Sequence, residues 1–470
     1  MSLFQTILNN LPEVAGPTQR RLSFKEKLKW TAIALVIFFV LGLMPLFGLG
    51  QNALQQFEFL SIILAAQFGS IISLGIGPMV TASIVLQLVN GSGLYKFDLT
   101  SPDGKKKFQG WQKLLSIGFI LFEAVVYVFL GGLAPPEQLA GTPLYFQLQL
   151  ILVFQLFIGG MLILFLDEVV SKWGFGSGIS LFIAAGVSQQ VFVQAFNWLP
   201  GPGGLSGVTY SVGAIPALFQ ALAAGDPTTA GIKLATIVFT ALVFVMAVYA
   251  QAMKVEIPLS FGRVRGHGIR WPLSFIYTSN IPVILVAALM ANLQLWGRLT
   301  QNWFGPNFFA RFNDLSGQLI GGFVYWLQPP QIIDSFVTGA FTGSQLVQAL
   351  VYILFMVVGS IIFSIFWVQT AGMDARSQAE HMMASGLQIP GFRKDERVLE
   401  RLLNRYIWPL TVMGAITVGF LAAIADITGA LSRGTGILLA VMIIYRLYED
   451  ISKQHMMDMY PALRKFMGGE

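Results

Sequence analysis

The sequence predicts an all-α polytopic membrane protein: ten transmembrane helices in two inverted halves of five around a pathway. Three observations carry that prediction. Of 470 residues, 55% are hydrophobic and only 11% are charged, against about 25% charged in soluble globular chains. The apolar residues gather into ten runs, and mean hydropathy is +0.68. One run is broken. Phe57 to Ala66 is too short to cross a bilayer, which takes about 20 residues, and Gly75-Ile76-Gly77-Pro78 separates it from the apolar Met79 to Val89. A half-helix feeding a second helix through Gly and Pro is how membrane proteins place irregular backbone around a cavity.

The elements follow in order. Residues 1–27 read as a cytoplasmic amphipathic segment. The first span, Leu28 to Leu49, is too long for a signal-peptide core and lacks a small-residue cleavage site, so it reads as retained. The broken Phe57 to Val89 unit is second, followed by Leu114 to Leu133, Tyr145 to Leu166 and Gly178 to Phe196. These make a first half over 28–196. A Gly/Pro-rich outer connection occupies 197–232. The second half, 233–448, holds Lys233 to Met253, Leu273 to Leu295, Val347 to Trp367, Ile407 to Ile427 and Gly436 to Tyr448. Residues 449–470 form a cytoplasmic tail. Five is odd, so two such halves have opposite orientations in the membrane, the arrangement of many conduits and transporters.

Charge tests this map, because cytoplasmic loops are enriched in Lys and Arg. With the N-terminus inside, 25 of the 29 basic residues fall on inner segments, leaving only Lys233, Arg298, Arg311 and Arg433 outside. One missed span would invert every later loop and destroy that asymmetry. Both termini are therefore expected in the cytoplasm. Two inner loops stand out: 254–272, with Arg263, Arg265, His267 and Arg270 among glycines, and 370–406, with Arg393, Lys394, Arg397, Arg401 and Arg405. Ordinary positive-inside charge explains such residues. A docking surface for a phosphate-rich partner such as ribosomal RNA also explains them, and suits the length of the second loop.

Enzymatic readings find little support. There is no cysteine, which excludes disulfides, thiolate catalysis and cysteine metal sites. His267, His381 and His455 lie in or beside inner loops, far from a span serine that would need a base. The glycines at 174, 176 and 178 fit neither a dinucleotide fingerprint nor a P-loop, so no cofactor is expected. With no nucleotide site, any driving force comes from a partner. An inverted-repeat secondary transporter of a small solute is the alternative to a conduit. Such proteins cluster polar or ionisable ligands at the break, whereas here the break is flanked by Ile76, Met79 and Val80, and Glu123 is the clear mid-span acid.

Four segments carry a resemblance: Leu22 to Trp30 (LSFKEKLKW), Leu74 to Gln87 (LGIGPMVTASIVLQ), Leu166 to Ala185 (LDEVVSKWGFGSGISLFIAA) and Pro390-Gly391-Phe392-Arg393. Together they resemble the SecY family, the channel-forming alpha subunit of the Sec protein translocase, in its archaeal and eukaryotic branch. The resemblance implies an hourglass pore between two five-helix halves, able to open sideways into lipid. It implies a heterotrimer with a SecE (gamma) subunit and a SecG-like (beta) subunit. It also implies work with signal peptides and nascent polypeptides, with membrane lipid, and with a translating ribosome or an ATP-driven motor. The cytoplasmic (plasma) membrane of a prokaryote is the expected location.

Site residues follow from the same resemblance. Phe57, Glu58, Phe59, Leu60, Ser61, Ile62, Ile63 and Leu64 fall in the half-helix (about 57–66) that would plug the pore. Ile76, Val80, Ile179, Ile183, Ile284 and Leu439 would form its constriction. The i, i+4 spacing places Ile76 with Val80, and Ile179 with Ile183, on common helix faces. Branched apolar side chains offer a passing chain no specific hydrogen bond and resist wetting. Thr81, Glu123 and Asn292 match the polar positions of the lateral gate. Arg263, Arg265, Arg393 and Lys394 match the ribosome or motor docking loops.

Overall fold

The computed structural model describes residues 11–18, 22–50, 69–91, 95, 97, 101–129, 132–200, 210–261, 268–278, 280–305, 307–312, 319–384, 387–388, 395–432 and 434–459. Ten helices correspond to the ten expected spans. In the first half they are α1 (Phe24–Leu43), α2 (Gly77–Gly91), α3 (Pro102–Phe129), α4 (Pro143–Trp173) and α5 (Gly178–Phe196). After a short α6 (Ala214–Ala224), the second half contains α7 (Pro227–Ala252), α8 (Ile281–Phe304), α10 (Gly343–Thr370), α12 (Glu396–Ile427) and α13 (Gly434–Met459). Two short helices, α9 (Ile332–Val337) and α11 (Ala375–Ala384), complete the helical set.

Several boundaries differ from the hydropathy reading, each for a local reason. The seventh span was expected from Leu273 but begins at Ile281. Leu273 belongs instead to strand β2 (Gly268–Ser274), and Pro282 stands in the first turn of α8. The sixth begins at Pro227, ahead of Lys233, because Asp226 accepts from Thr228 N (3.1 Å) and Thr229 N (3.2 Å) and so caps the helix. α3, α12 and α13 run past their apolar windows, since a helix continues beyond the bilayer wherever polar residues are compatible with it. The outer connection expected over 197–232 contains α6.

The all-α prediction holds within the spans, but the loops after α7 and α11 form a sheet. Strand β1 (Lys254–Phe261) pairs antiparallel with β2 from Lys254↔Ser274 to Ser260↔Gly268. On its other side it pairs with β5 (Leu387–Gln388), through Ser260↔Gln388 and Phe261↔Leu387. Beneath this sheet, Ile257, Leu273, Tyr277, Ala379, Met382 and Leu403 make a second core with the first turns of α12. The long loop after α8 is also ordered where described. Strands β3 (Arg311–Phe312) and β4 (Leu319–Gly321) pair, Gln301 exchanges two bonds with the Phe312 backbone, and Gln348 of α10 donates to Tyr325 O and Gln328 O. That loop thus ties the C-terminal end of α8 to the N-terminal end of α10.

Between spans, association relies on close packing and polar links, because lipid is as apolar as the side chains. Gly159 on α4 abuts the turn at residues 71–76 so tightly that a Cβ would overlap the Ile71 carbonyl. Gly419 on α12 lets α10 approach; a Cβ there would stand 2.9 Å from Met356 O and from Ser360 Oγ. Thr278 and Ser364 share a hydrogen bond at 2.8 Å in the same region.

The start of α1 meets the last turns of α13. Lys27 Nζ donates to Gln454 Oε1 at 3.1 Å, and Phe24 packs on His455. Lys254 at the base of the hairpin pairs with Glu449 of α13 at 2.7 Å. That bond to Glu449 raises the Lys254 pKa. Near residues 13–15, Lys172 binds Glu13 and donates to Val14 O (2.6 Å), Glu168 accepts from Val14 N (2.8 Å), and Trp173 Nε1 donates to Ala15 O (2.8 Å). The hydrogen bond from Lys172, reinforced by its charge, holds the Glu13 carboxyl below its ordinary range.

Candidate functional site: an apolar constriction and a polar helix link

The site is assembled at the start of α2. The backbone turns through residues 71–76, and Met79 N and Val80 N both donate to Ile76 O at 3.1 Å, so the helix starts in mid-protein. Ile76 and Val80 then project one turn apart on one face. On α5, the equivalent positioning comes from Asp167 at the end of α4. Its Oδ1 accepts from Ile179 N at 2.9 Å, and Gly178 packs directly against its Cα. Asp167 therefore caps α5 and sets the rotation of Ile179 and Ile183. Sequence reasoning did not single it out. The signal was an acid twelve residues before the first turn of an apolar helix, across a Gly-rich turn.

Ile76, Val80, Ile183, Ile284 and Leu439 are all buried, with exposures of 1–9%, and share the main apolar core; Ile179 is half-buried against it. A cavity of about 420 Å³ runs against Val80, Ile179 and Ile284. Its walls change character away from these residues: Ser83 and Gln87 on α2, Gln112 on α3 and Arg446 and Asp450 on α13 also line it. The six residues expected at the constriction thus lie in one contiguous apolar core that borders a partly polar cavity.

Thr81, Glu123 and Asn292 meet as well. Asn292 Nδ2 on α8 donates to Thr81 Oγ1 on α2 at 3.1 Å, and Thr81 Oγ1 lies 3.2 Å from Glu123 Oε1 on α3. The Thr81 hydroxyl also lies 2.9 Å from Gly77 O of its own helix. Glu123 is only 4% exposed. Three helices, one of them from the second half, are therefore pinned at one threonine oxygen.

The remaining predicted residues lie outside the described ones. They are Phe57 to Leu64 of the half-helix and Arg263, Arg265, Arg393 and Lys394. The structure does bring the flanks of both basic loops together, since β1 precedes residues 262–267 and its neighbour β5 precedes 389–394. Arg270 of β2 is bonded to Glu256 at 3.0 Å and is exposed. Among the described residues, no group of three or more His, Cys, Asp and Glu side chains could hold a metal.

Comparison with known proteins matches this architecture. The family model SecY covers residues 70–448, and a model described as the plug domain of Sec61p covers 36–69, which contains the predicted half-helix. The protein translocase subunit SecY of Pyrococcus furiosus is 42% identical over 466 residues, covering 97% of each chain. That of Methanocaldococcus jannaschii is 43% identical over 461 residues, covering 98% of each. Among solved structures, one described as "The structure of a protein conducting channel" superposes with a TM-score of 0.82 at 41% identity, over 99% of this chain and 100% of that one. Sec61 in the canine ribosome–channel complex from the endoplasmic reticulum superposes at 0.80 with 39% identity, again over 99% and 100%. Ten helices at the expected spans, the turn that opens α2 and full-length similarity to archaeal relatives converge: the chain belongs to the SecY family.

Proposed function

We propose that this chain is the central subunit of a protein-conducting channel, moving secretory polypeptides across the membrane and releasing hydrophobic segments sideways into lipid. The single observation that carries this is the coexistence of a contiguous apolar core bordering a cavity with a polar link across α2, α3 and α8. The constriction lets varied chains pass while opposing ion flow. The link is strong enough to keep the lateral seam shut and weak enough for a hydrophobic signal peptide to displace. Ile76, Val80, Ile179, Ile183, Ile284 and Leu439 form the constriction. Thr81, Glu123 and Asn292 hold the gate. Residues 57–64 act as plug.

The same reading sets the surroundings. The chain lies in the plasma membrane with both termini cytoplasmic, supported by the basic-residue asymmetry and by the contacts between the start of α1 and the end of α13. Arg263, Arg265, Arg393 and Lys394 dock a translating ribosome, supported by the pairing of β1 with β5, which joins the two basic loops. SecE (gamma) and SecG-like (beta) subunits complete the complex, and elongation or an ATP-driven motor supplies the force.

Site-specific photocrosslinking from Ile183 to a ribosome-stalled secretory chain in reconstituted vesicles tests the proposal. A signal-peptide-dependent adduct is expected. Its absence, with the ribosome docked and controls working, would refute the pore axis.

A further inference from the structure

Two helices of the channel change character along one face. From Ile76, just before α2, through Val80, Ser83 and Gln87 on it, the residues recur at i, i+4, i+7 and i+11, the spacing of a single helical stripe. On α13, Leu439, Ile443, Arg446 and Asp450 repeat the same spacing. The first member of each stripe is a constriction residue, and the later ones line the cavity. The constriction thus opens on a wall with polar groups at fixed heights.

Gln87 differs from the other polar members. It is only 2% exposed, and its Oε1 is buried with no hydrogen-bond partner among the described residues. Beside it, Gln112 Nε2 is already committed to Ser83 Oγ at 3.1 Å. A buried amide oxygen without a donor is unfavourable, and a donor that reaches it from the cavity would satisfy it. A primary amide presents one carbonyl and N–H donors, the complement of a backbone peptide unit, which every residue except proline carries whatever its side chain. Arg446 and Asp450 would instead discriminate among side chains by charge.

We infer that Gln87 is a binding residue for the backbone of the translocating polypeptide, a hydrogen-bonding station on the approach to the constriction. The inference rests on the channel reading. Seven helical residues separate Gln87 from Val80, about 10 Å, which an extended chain covers in about three residues. The peptide unit held by Gln87 therefore belongs to the residue about three places behind the one in the constriction. Because the station reads backbone, it accepts any sequence, and it pauses the chain in discrete single-residue steps.

The test uses the reconstituted complex and ribosome-stalled chains carrying one cysteine moved residue by residue, crosslinked to Ser180→Cys in the same cavity. The protein's lack of native cysteine keeps the readout clean. With Gln87 present, adducts concentrate on one or two chain positions. In Gln87→Leu, and in the closer isostere Gln87→Met, that peak falls by about two- to tenfold relative to its neighbours, the loss expected for one net hydrogen bond. Proline has no N–H, so proline at the chain position facing residue 87 flattens the peak in the parent and adds nothing in either variant. Equal profiles with and without Gln87, or a proline effect of the same size in all three proteins, would overturn the station. Absence of adducts in the parent from Ser180 and from Ile183 alike would refute the channel reading instead.

Discussion

Replacing Asn292 with leucine removes the bond from its Nδ2 to Thr81 Oγ1 while keeping the side-chain volume of an apolar span. The bond exists only when α2 and α8 are together, so its loss favours the open seam. A hydrogen bond of this kind in a membrane is worth roughly 0.6–2 kcal/mol, so the open-to-closed ratio should rise about 3- to 30-fold. Thr81→Val should shift it at least as far, because the same oxygen also faces Glu123 at 3.2 Å, and the closed seam would then bury an acid without that partner. The decisive quantity is the cycle. With Thr81 already replaced, Asn292→Leu should change the ratio less than about twofold, since contacting residues are non-additive. Dyes on engineered cysteines in α3 and α8 of the nanodisc-embedded complex report the ratio by energy transfer. If Asn292→Leu had the same effect with threonine or valine at position 81, the gate would not depend on this link.

Three further outcomes are expected. Changing Ile76, Ile179 and Ile183 together to serine should raise the resting ion conductance of the complex in a planar bilayer, because polar walls admit water where branched aliphatics do not; unchanged conductance would remove them from the constriction. Arg393→Glu should weaken ribosome co-sedimentation at low salt, with the difference shrinking as salt screens the contact; equal binding at every salt concentration would dismiss the role. The Glu13 contact is pH-dependent. Lys172 lowers that carboxyl's pKa, so the contact contributes above the ordinary value of 4.5 and is lost as pH falls below it. Glu13 is largely exposed, so the effect is small and local. A spin label near Ala15 should gain mobility only below pH 4.5, and in Glu13→Gln the mobility should not respond to pH in that range.

Much of the architecture was legible because a bilayer imposes one-dimensional rules. A span must be apolar over a fixed length, and basic residues mark one side, so the ten helices and their order could be read from composition along the chain. The pairing of Ile76 with Val80, and of Ile179 with Ile183, followed from helix geometry alone. The constriction and gate roles came from motif resemblance, since aliphatic i, i+4 pairs occur on nearly every membrane helix. What hydropathy misplaced, it misplaced for a reason: Leu273 is apolar in a strand as readily as in a helix, and Lys105 to Lys107 continue α3 beyond the apolar window.

Composition and patterning along the chain set the class and the span order, and motif resemblance named the candidate pore residues. How distant residues meet depends on the packing of the folded chain. Thr81 and Asn292 stand 211 positions apart, and nothing local records that one oxygen joins three helices. The same holds for Asp167 capping α5, for β5 joining a hairpin more than a hundred residues earlier in the chain, and for the Gln87 oxygen that has no partner among the described residues. Local rules act on neighbours in the chain, whereas a hydrogen bond between spans depends on the relative rotation and height of two helices, which the packing of the whole bundle sets.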